Sequence, residues 1–117
     1  MVLVGTGIFI TKDNKEYLVT ANHVAIKTNN NTYIVYCDKQ SNPKFRNLID
    51  LNSNLNWIHH KYADISCLDI DLVNNIDVLE NRCFPYNHIE TNHYMHYYDI
   101  FHTILPIQFL SFEGLSQ

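Results

Sequence analysis

Two short stretches carry the residues best suited to chemistry. Residues 17–24 read YLVTANHV, an apolar, β-branched run that ends on His23, and residues 62–68 read YADISCL, with Asp64 ahead of a second such run. A histidine leaving the end of a strand can face a cleft, and imidazole, which titrates at about 6.5, suits general-base work near neutral pH. Such a base needs an acceptor on its other ring nitrogen to fix the tautomer and steady the imidazolium, and a carboxylate supplies one. His23 and Asp64 are 41 residues apart, enough for the intervening strands to wrap round and return. Neither residue is diagnostic alone. A lone histidine after a strand is more often a surface residue, and a lone aspartate more often caps a turn.

The elements that must position them read as strands. Val2 to Val4 leads through Gly5-Thr6-Gly7 into Ile8-Phe9-Ile10; the turn Lys12-Asp13-Asn14-Lys15 then leads to Tyr17-Leu18-Val19-Thr20, which together predict a hairpin. Thr32 to Cys37 (TYIVYC) is rich in β-formers, and Arg46 to Leu51 and Leu55 to His59 read as two further short strands. Ile65 to Ile70 alternates, with Ser66, Leu68 and Ile70 on one face and Ile65, Cys67 and Asp69 on the other. Residues 71–82 fit an amphipathic helix, since Leu72, Ile76 and Leu79 share a face and Asp71 can cap it. Phe101 to Leu110 is expected to be extended because Pro106 forbids an unbroken helix. Closely spaced strands with polar turns predict one all-β domain over residues 1–117, an antiparallel β-barrel or sandwich with one or two short helices.

Gly5-Thr6-Gly7-Ile8-Phe9-Ile10 followed by Leu18-Val19-Thr20-Ala21-Asn22-His23-Val24 resembles the chymotrypsin-like (trypsin-like) serine peptidases, in particular their bacterial, cysteine-poor branch. There a GTGF-type strand precedes an LVTAxHV strand that carries the catalytic histidine. Ala63-Asp64-Ile65-Ser66-Cys67-Leu68 is similar to the family's DIAxL-type segment, and the order His then Asp agrees with this family rather than with subtilisin or the α/β-hydrolases. The resemblance spans residues 4–70. It implies a first barrel of a two-barrel serine endopeptidase, with His23 as general base, Asp64 as its orienting partner, a peptide or protein substrate, and no cofactor or metal. By the same resemblance, Ile104 to Leu110 is similar to the connection between barrels, placed at about residues 100–117.

The chain departs from the family pattern at the nucleophile. None of Ser41, Ser53, Ser66, Ser111 and Ser116 lies in a GxSG-type turn, the backbone of which would also form the oxyanion hole. The resemblance therefore implies a serine, an oxyanion hole and a substrate pocket on a C-terminal barrel beyond Gln117, with this chain inactive alone. The family also usually has a further strand before its GTGF segment. The competing expectation is a peptidase-like barrel without catalysis that binds peptides or proteins, its exposed strand edges offering β-augmentation and an exposed barrel face offering dimerisation.

Composition bounds these readings. The net charge of −4 and scattered cations argue against nucleic acid and anionic membranes as partners, and the apolar runs are too short to span a bilayer. The N-terminus MVLVGTGIFI lacks the basic region of a signal peptide, and three cysteines without CxxC spacing leave one unpaired under any disulfide scheme. Both features favour a cytoplasmic, reducing compartment, with Cys37, Cys67 and Cys83 as small core residues. His93 and His96 form HxxH near His88, a weak zinc pattern, while the adjacent His59 and His60 point to opposite faces and would not easily share an ion. Gly5 and Gly7 are not followed by the glycine, lysine and helix of a phosphate loop; they read as residues of backbone freedom and close packing.

Overall fold

The computed structural model describes residues 2–37, 42–70, 84–85 and 107–111. The strands are β1 (Val2–Lys12), β2 (Lys15–Thr20), β3 (Thr32–Cys37), β4 (Pro43–Asn47), β5 (Ile58–His59), β6 (Ser66–Asp69), β7 (Phe84–Pro85) and β8 (Ile107–Ser111). A single turn of α-helix, α1 (Asn22–Ala25), and a 3-10 turn at Leu48–Asp50 complete the described elements. The fold is all-β, as the alternation along the chain predicts. The helix expected at 71–82 and the histidines 88, 93 and 96 lie outside the described residues, as does Cys83.

One sheet holds every strand in the order β4-β3-β8-β1-β2-β6-β5, with β7 pairing in parallel to β1 at Ile10 and Thr11. All other pairings are antiparallel. β1 and β2 form the expected hairpin, closed by Asp13 and Asn14 at φ 51° and 63°. Two consecutive residues at positive φ are what a two-residue turn needs to match the twist of its strands. Ile107–Ser111 is extended, as Pro106 suggests. It lies in the middle of the sheet, between β1 and β3.

The strands bury one face. Phe9, Leu18, Ile34, Tyr36, Leu68, Ile70, Ile107 and Phe109 form the core, joined by Leu48, Leu51 and Val24 from the connections. The sheet rolls around them. Flat neighbouring strands lie about 4.8 Å apart, so β5 would run far from β8, four strands away. Yet the ring of Trp57, just before β5, is 6.3 Å from that of Phe109 on β8, and Phe9 meets Tyr36 across β8 at 5.8 Å. The roll does not close, and among the described residues β4 and β5 remain the two ends of the sheet. The closed barrel of the sequence reading is thus not reached by these strands.

Local chemistry shortens two of the expected strands. Asn47 ends β4 because its side-chain oxygen accepts from the Ile49 N–H at 3.2 Å and starts the 3-10 turn over residues expected to be extended. Leu55 has φ 48°, so the run from Leu55 to His59 is strand only at its last two residues. The two described cysteines are not core residues. Cys37 is exposed, and Cys67 faces away from Leu68 and is half-buried; both are free thiols. No described helix is long and apolar enough to cross a membrane.

Neither described glycine uses positive φ; both serve close approach. A Cβ on Gly7 would sit 2.7 Å from the Val19 carbonyl oxygen and 2.8 Å from the Phe109 ring. A Cβ on Gly5 would sit 2.5 Å from Val24 Cγ2, so Gly5 is the seat on which α1 rests. We expect Gly5→Ala to cost about 1–3 kcal/mol, the range for overpacking. Gly5→Ala/Val24→Ala should recover part of that loss, measured by urea denaturation of both variants. Asn14→Gly, which relieves an L-residue at positive φ, should raise stability by about 0.5–1 kcal/mol in the same assay.

Candidate active site

The register of β2 against β6 brings the two chemical stretches together. Thr20 pairs with Ser66, the last residue of one strand with the first of its antiparallel neighbour. His23 comes three residues after Thr20 and Asp64 two before Ser66, so both emerge at the same end of the sheet. A half-buried hydrogen bond from Thr20 Oγ1 to the Thr6 carbonyl, 2.6 Å, fixes the end of β2 against β1.

His23 does not sit in an open turn but in the first turn of α1. Val24 and Ala25 are buried and point the helix into the core, which leaves His23 on the outer side. The first N–H groups of any helix lack intrahelical acceptors, and Ala21 at the N-cap has no side chain to supply one. Asp64 supplies it. Its Oδ1 accepts from the His23 backbone N–H at 2.9 Å, while Oδ2 lies 2.5 Å from His23 Nδ1. One carboxylate therefore caps the helix and holds the ring that the helix carries. Facing an ionised carboxylate, Nδ1 is the protonated nitrogen, which leaves Nε2 with the lone pair a general base needs.

These bonds act on Asp64 electrostatically. Its carboxyl is held below the ordinary aspartate value of 3.8, first by the side-chain hydrogen bond with His23 and then by the backbone hydrogen bond from His23; slight desolvation opposes both. The side chains of His23 and Asp64 are 63% and 56% exposed, so the pair lies open on its outer side. Among the described residues, the hydrogen bonds of His23 go to Asp64 and none to a serine or cysteine.

A second set of polar residues, unmarked by any motif, supports this pair. The buried Ser66 hydroxyl donates to Asn22 Oδ1 at 3.0 Å and lies 2.6 Å from His59 Nδ1. Since its proton goes to Asn22, Ser66 accepts from the His59 ring N–H, and the chain His59–Ser66–Asn22 ties edge strand β5 to the residue before His23. The hydroxyl is committed and enclosed, so Ser66 is not a nucleophile. At the other end of α1, Trp57 Nε1 donates to Thr28 Oγ1 (2.8 Å), which donates to the Ala25 carbonyl (2.6 Å). Asn22, His59 and Ser66 escape sequence reading because their partners are 44 and 7 residues away. The only local signal was that adjacent His59 and His60 must point to opposite faces.

Beside the Asp64 loop lies an open cleft of about 420 Å³ walled by Ile58, Tyr62 and Ile65 with His59 and His60. Ile58, Tyr62 and Ile65 are all exposed. Among the described residues no group of three His, Cys, Asp or Glu side chains converges to hold a metal ion. In comparisons with known proteins, no protein-family model, no curated protein and no solved structure matches the chain.

The pH dependence of the pair follows from its sign. A carboxyl with a lowered folded-state pKa stabilises the fold above its ordinary value, and that contribution is lost as pH falls through the lower folded value. The Asp64 carboxyl ¹³C resonance should therefore titrate with a midpoint below 3.8, and His23→Ala should raise that midpoint towards 3.8. An unchanged midpoint in His23→Ala would mean that the pair does not form in solution.

Proposed function

We propose that this chain is the His–Asp-bearing domain of a trypsin-like serine endopeptidase, with His23 as general base and Asp64 as its orienting partner. The observation that carries the reading is the two-point contact of Asp64 with His23, which fixes both the backbone and the Nδ1 edge of the histidine. It leaves Nε2 available on a side that is more than half exposed.

In this reading a serine from a second domain meets Nε2. His23 takes the hydroxyl proton as serine Oγ attacks the peptide carbonyl, then gives that proton to the leaving amine. Water repeats the sequence to release the acyl group. Asp64 stays ionised and holds the imidazole in one tautomer. The apolar cleft beside the Asp64 loop is suited to an apolar side chain of the peptide substrate.

A second reading is a peptide- or protein-binding domain that uses the same sheet without catalysis. It is favoured by the absence, among the described residues, of a nucleophile bonded to His23 and by the place of β4 and β5 as the two end strands of the described sheet. One experiment separates the two. The natural full-length protein is treated with a fluorophosphonate that labels activated serines. Labelling that falls about 10³–10⁴-fold in His23→Ala and Asp64→Asn supports the peptidase, on the scale known for triad residues. Labelling of equal rate in wild type and His23→Ala removes His23 from the role of base. No labelling at all, together with retained binding of extended peptides, establishes the binding domain.

A further inference from the structure

We propose that His60 is the positioning residue for Asp64: its Nδ1 lone pair gathers the backbone N–H groups of Tyr62 and Ala63 and so folds the turn that presents the carboxylate to His23. His60 has no role in the motif resemblance, and its part emerges only from where the backbone donors of residues 60–65 go.

That segment is a tight turn between β5 and β6. Its ends are joined by the His60 N–H donating to the Ile65 carbonyl at 2.8 Å. Inside it, the Tyr62 N–H and the Ala63 N–H both point at one atom, His60 Nδ1, at 3.0 and 2.8 Å. The Ile65 N–H then reaches back to the Ala63 carbonyl at 2.8 Å, bending the chain about Asp64. Ala63, immediately before Asp64, is thus held at both its N–H and its carbonyl.

A short polar side chain that accepts from N–H groups two and three residues ahead is the usual organiser of a turn, a task that Asn, Asp, Ser or Thr ordinarily performs. Here an imidazole performs it. Little apolar burial competes for control of this segment, since His60, Lys61, Tyr62, Asp64 and Ile65 are all exposed. The hydrogen bonds therefore set its shape.

The chemistry of the ring follows. An imidazole nitrogen that receives two N–H donors must carry a lone pair, so the His60 ring proton sits on Nε2. His23 has the reverse arrangement, with its Nδ1 proton directed at the Asp64 carboxylate. Two histidines of opposite tautomer thus flank one aspartate, one orienting it through the backbone and the other receiving its charge.

The inference rests on the peptidase reading only for its effect on rate; the placement of Asp64 is tested independently of it. Ring ¹⁵N shifts of the wild-type protein should report His60 with Nδ1 unprotonated and Nε2 protonated, and a proton found on Nδ1 would overturn the proposal without any variant being made. His60→Ala removes the acceptor, while the freed N–H groups can turn to water. His60→Asn keeps an acceptor oxygen at nearly the same reach. The Asp64 carboxyl midpoint should move up towards 3.8 in His60→Ala and stay lowered in His60→Asn. A midpoint that stays lowered in His60→Ala, or rises equally in both, would refute the positioning role. In the full-length protein, fluorophosphonate labelling should fall about 10²-fold in His60→Ala, the scale for a group misplaced by about 1 Å, and recover in His60→Asn. If wild type fails to label, the peptidase reading falls while the tautomer and the midpoints still decide the role of His60.

Discussion

The pairing of Thr20 with Ser66 is the constraint on which the site depends. In an antiparallel ladder directly paired residues share a face, so a slip of one residue would set Leu18 against Cys67 or Asp69 and turn one of Leu18 and Leu68 out of the core. The core therefore sets the register, and the register sets the distance between the strand ends that lead to His23 and Asp64. The contact between these two side chains follows from that scaffold. An exposed ion pair adds little stability, and this one is open on its outer side. Fully enclosed Leu18, Leu68 and Phe109 hold the strands in place, and the polar pair occupies a position already built for it.

The roll of the sheet is the second determinant. Phe109 enters from the C-terminal side of the sequence, yet it packs against the Gly7 backbone, the Trp57 ring and the rest of the buried face. β8 fills the gap between β1 and β3 by pairing Val2 with Ser111 and Thr32 with the same residue. The core is completed by the contact most distant in sequence. Such long-range strand pairing carries a large loop-closure cost and slows folding relative to local hairpins. The β1–β2 hairpin, with its two-residue turn, is the local unit onto which the others can add.

Around the candidate site, polar groups are arranged so that each imidazole is held at its Nδ1 edge. His23 is held by Asp64, His59 by Ser66, and His60 by two backbone N–H groups. Ring orientation is thereby set by three different kinds of partner: a carboxylate, a hydroxyl and the main chain. Asp64 does double duty, since it also satisfies a helix N–H that Ala21 cannot reach with a side chain. This explains how a single turn of helix, too short to be stable by itself, keeps a defined orientation: Val24 seats it against Gly5 and Asp64 closes its open end.

The sequence by itself determined the β class, the β1–β2 hairpin, the in–out alternation of Ser66 to Ile70, and the pairing of His23 with Asp64 that the resemblance implied. These are legible because they rest on period-2 patterning, turn residues and two short local motifs, all properties of neighbouring residues. Tertiary structure alone decided the rest. Ile107–Ser111 reads as extended, but where an extended segment joins a sheet depends on which strand edges are open, and β1 and β3 left one between them. Cys37 and Cys67 read as core residues because cysteine is usually buried, and the register put them on the other face. Asn47 and Leu55 cut short two expected strands through a side-chain cap and a positive φ. His59, Ser66 and Asn22 became one hydrogen-bonded chain, and His60 the organiser of a turn. A hydrogen bond is defined by the direction and distance of two groups in space, and no spacing along the chain encodes that before the sheet has rolled.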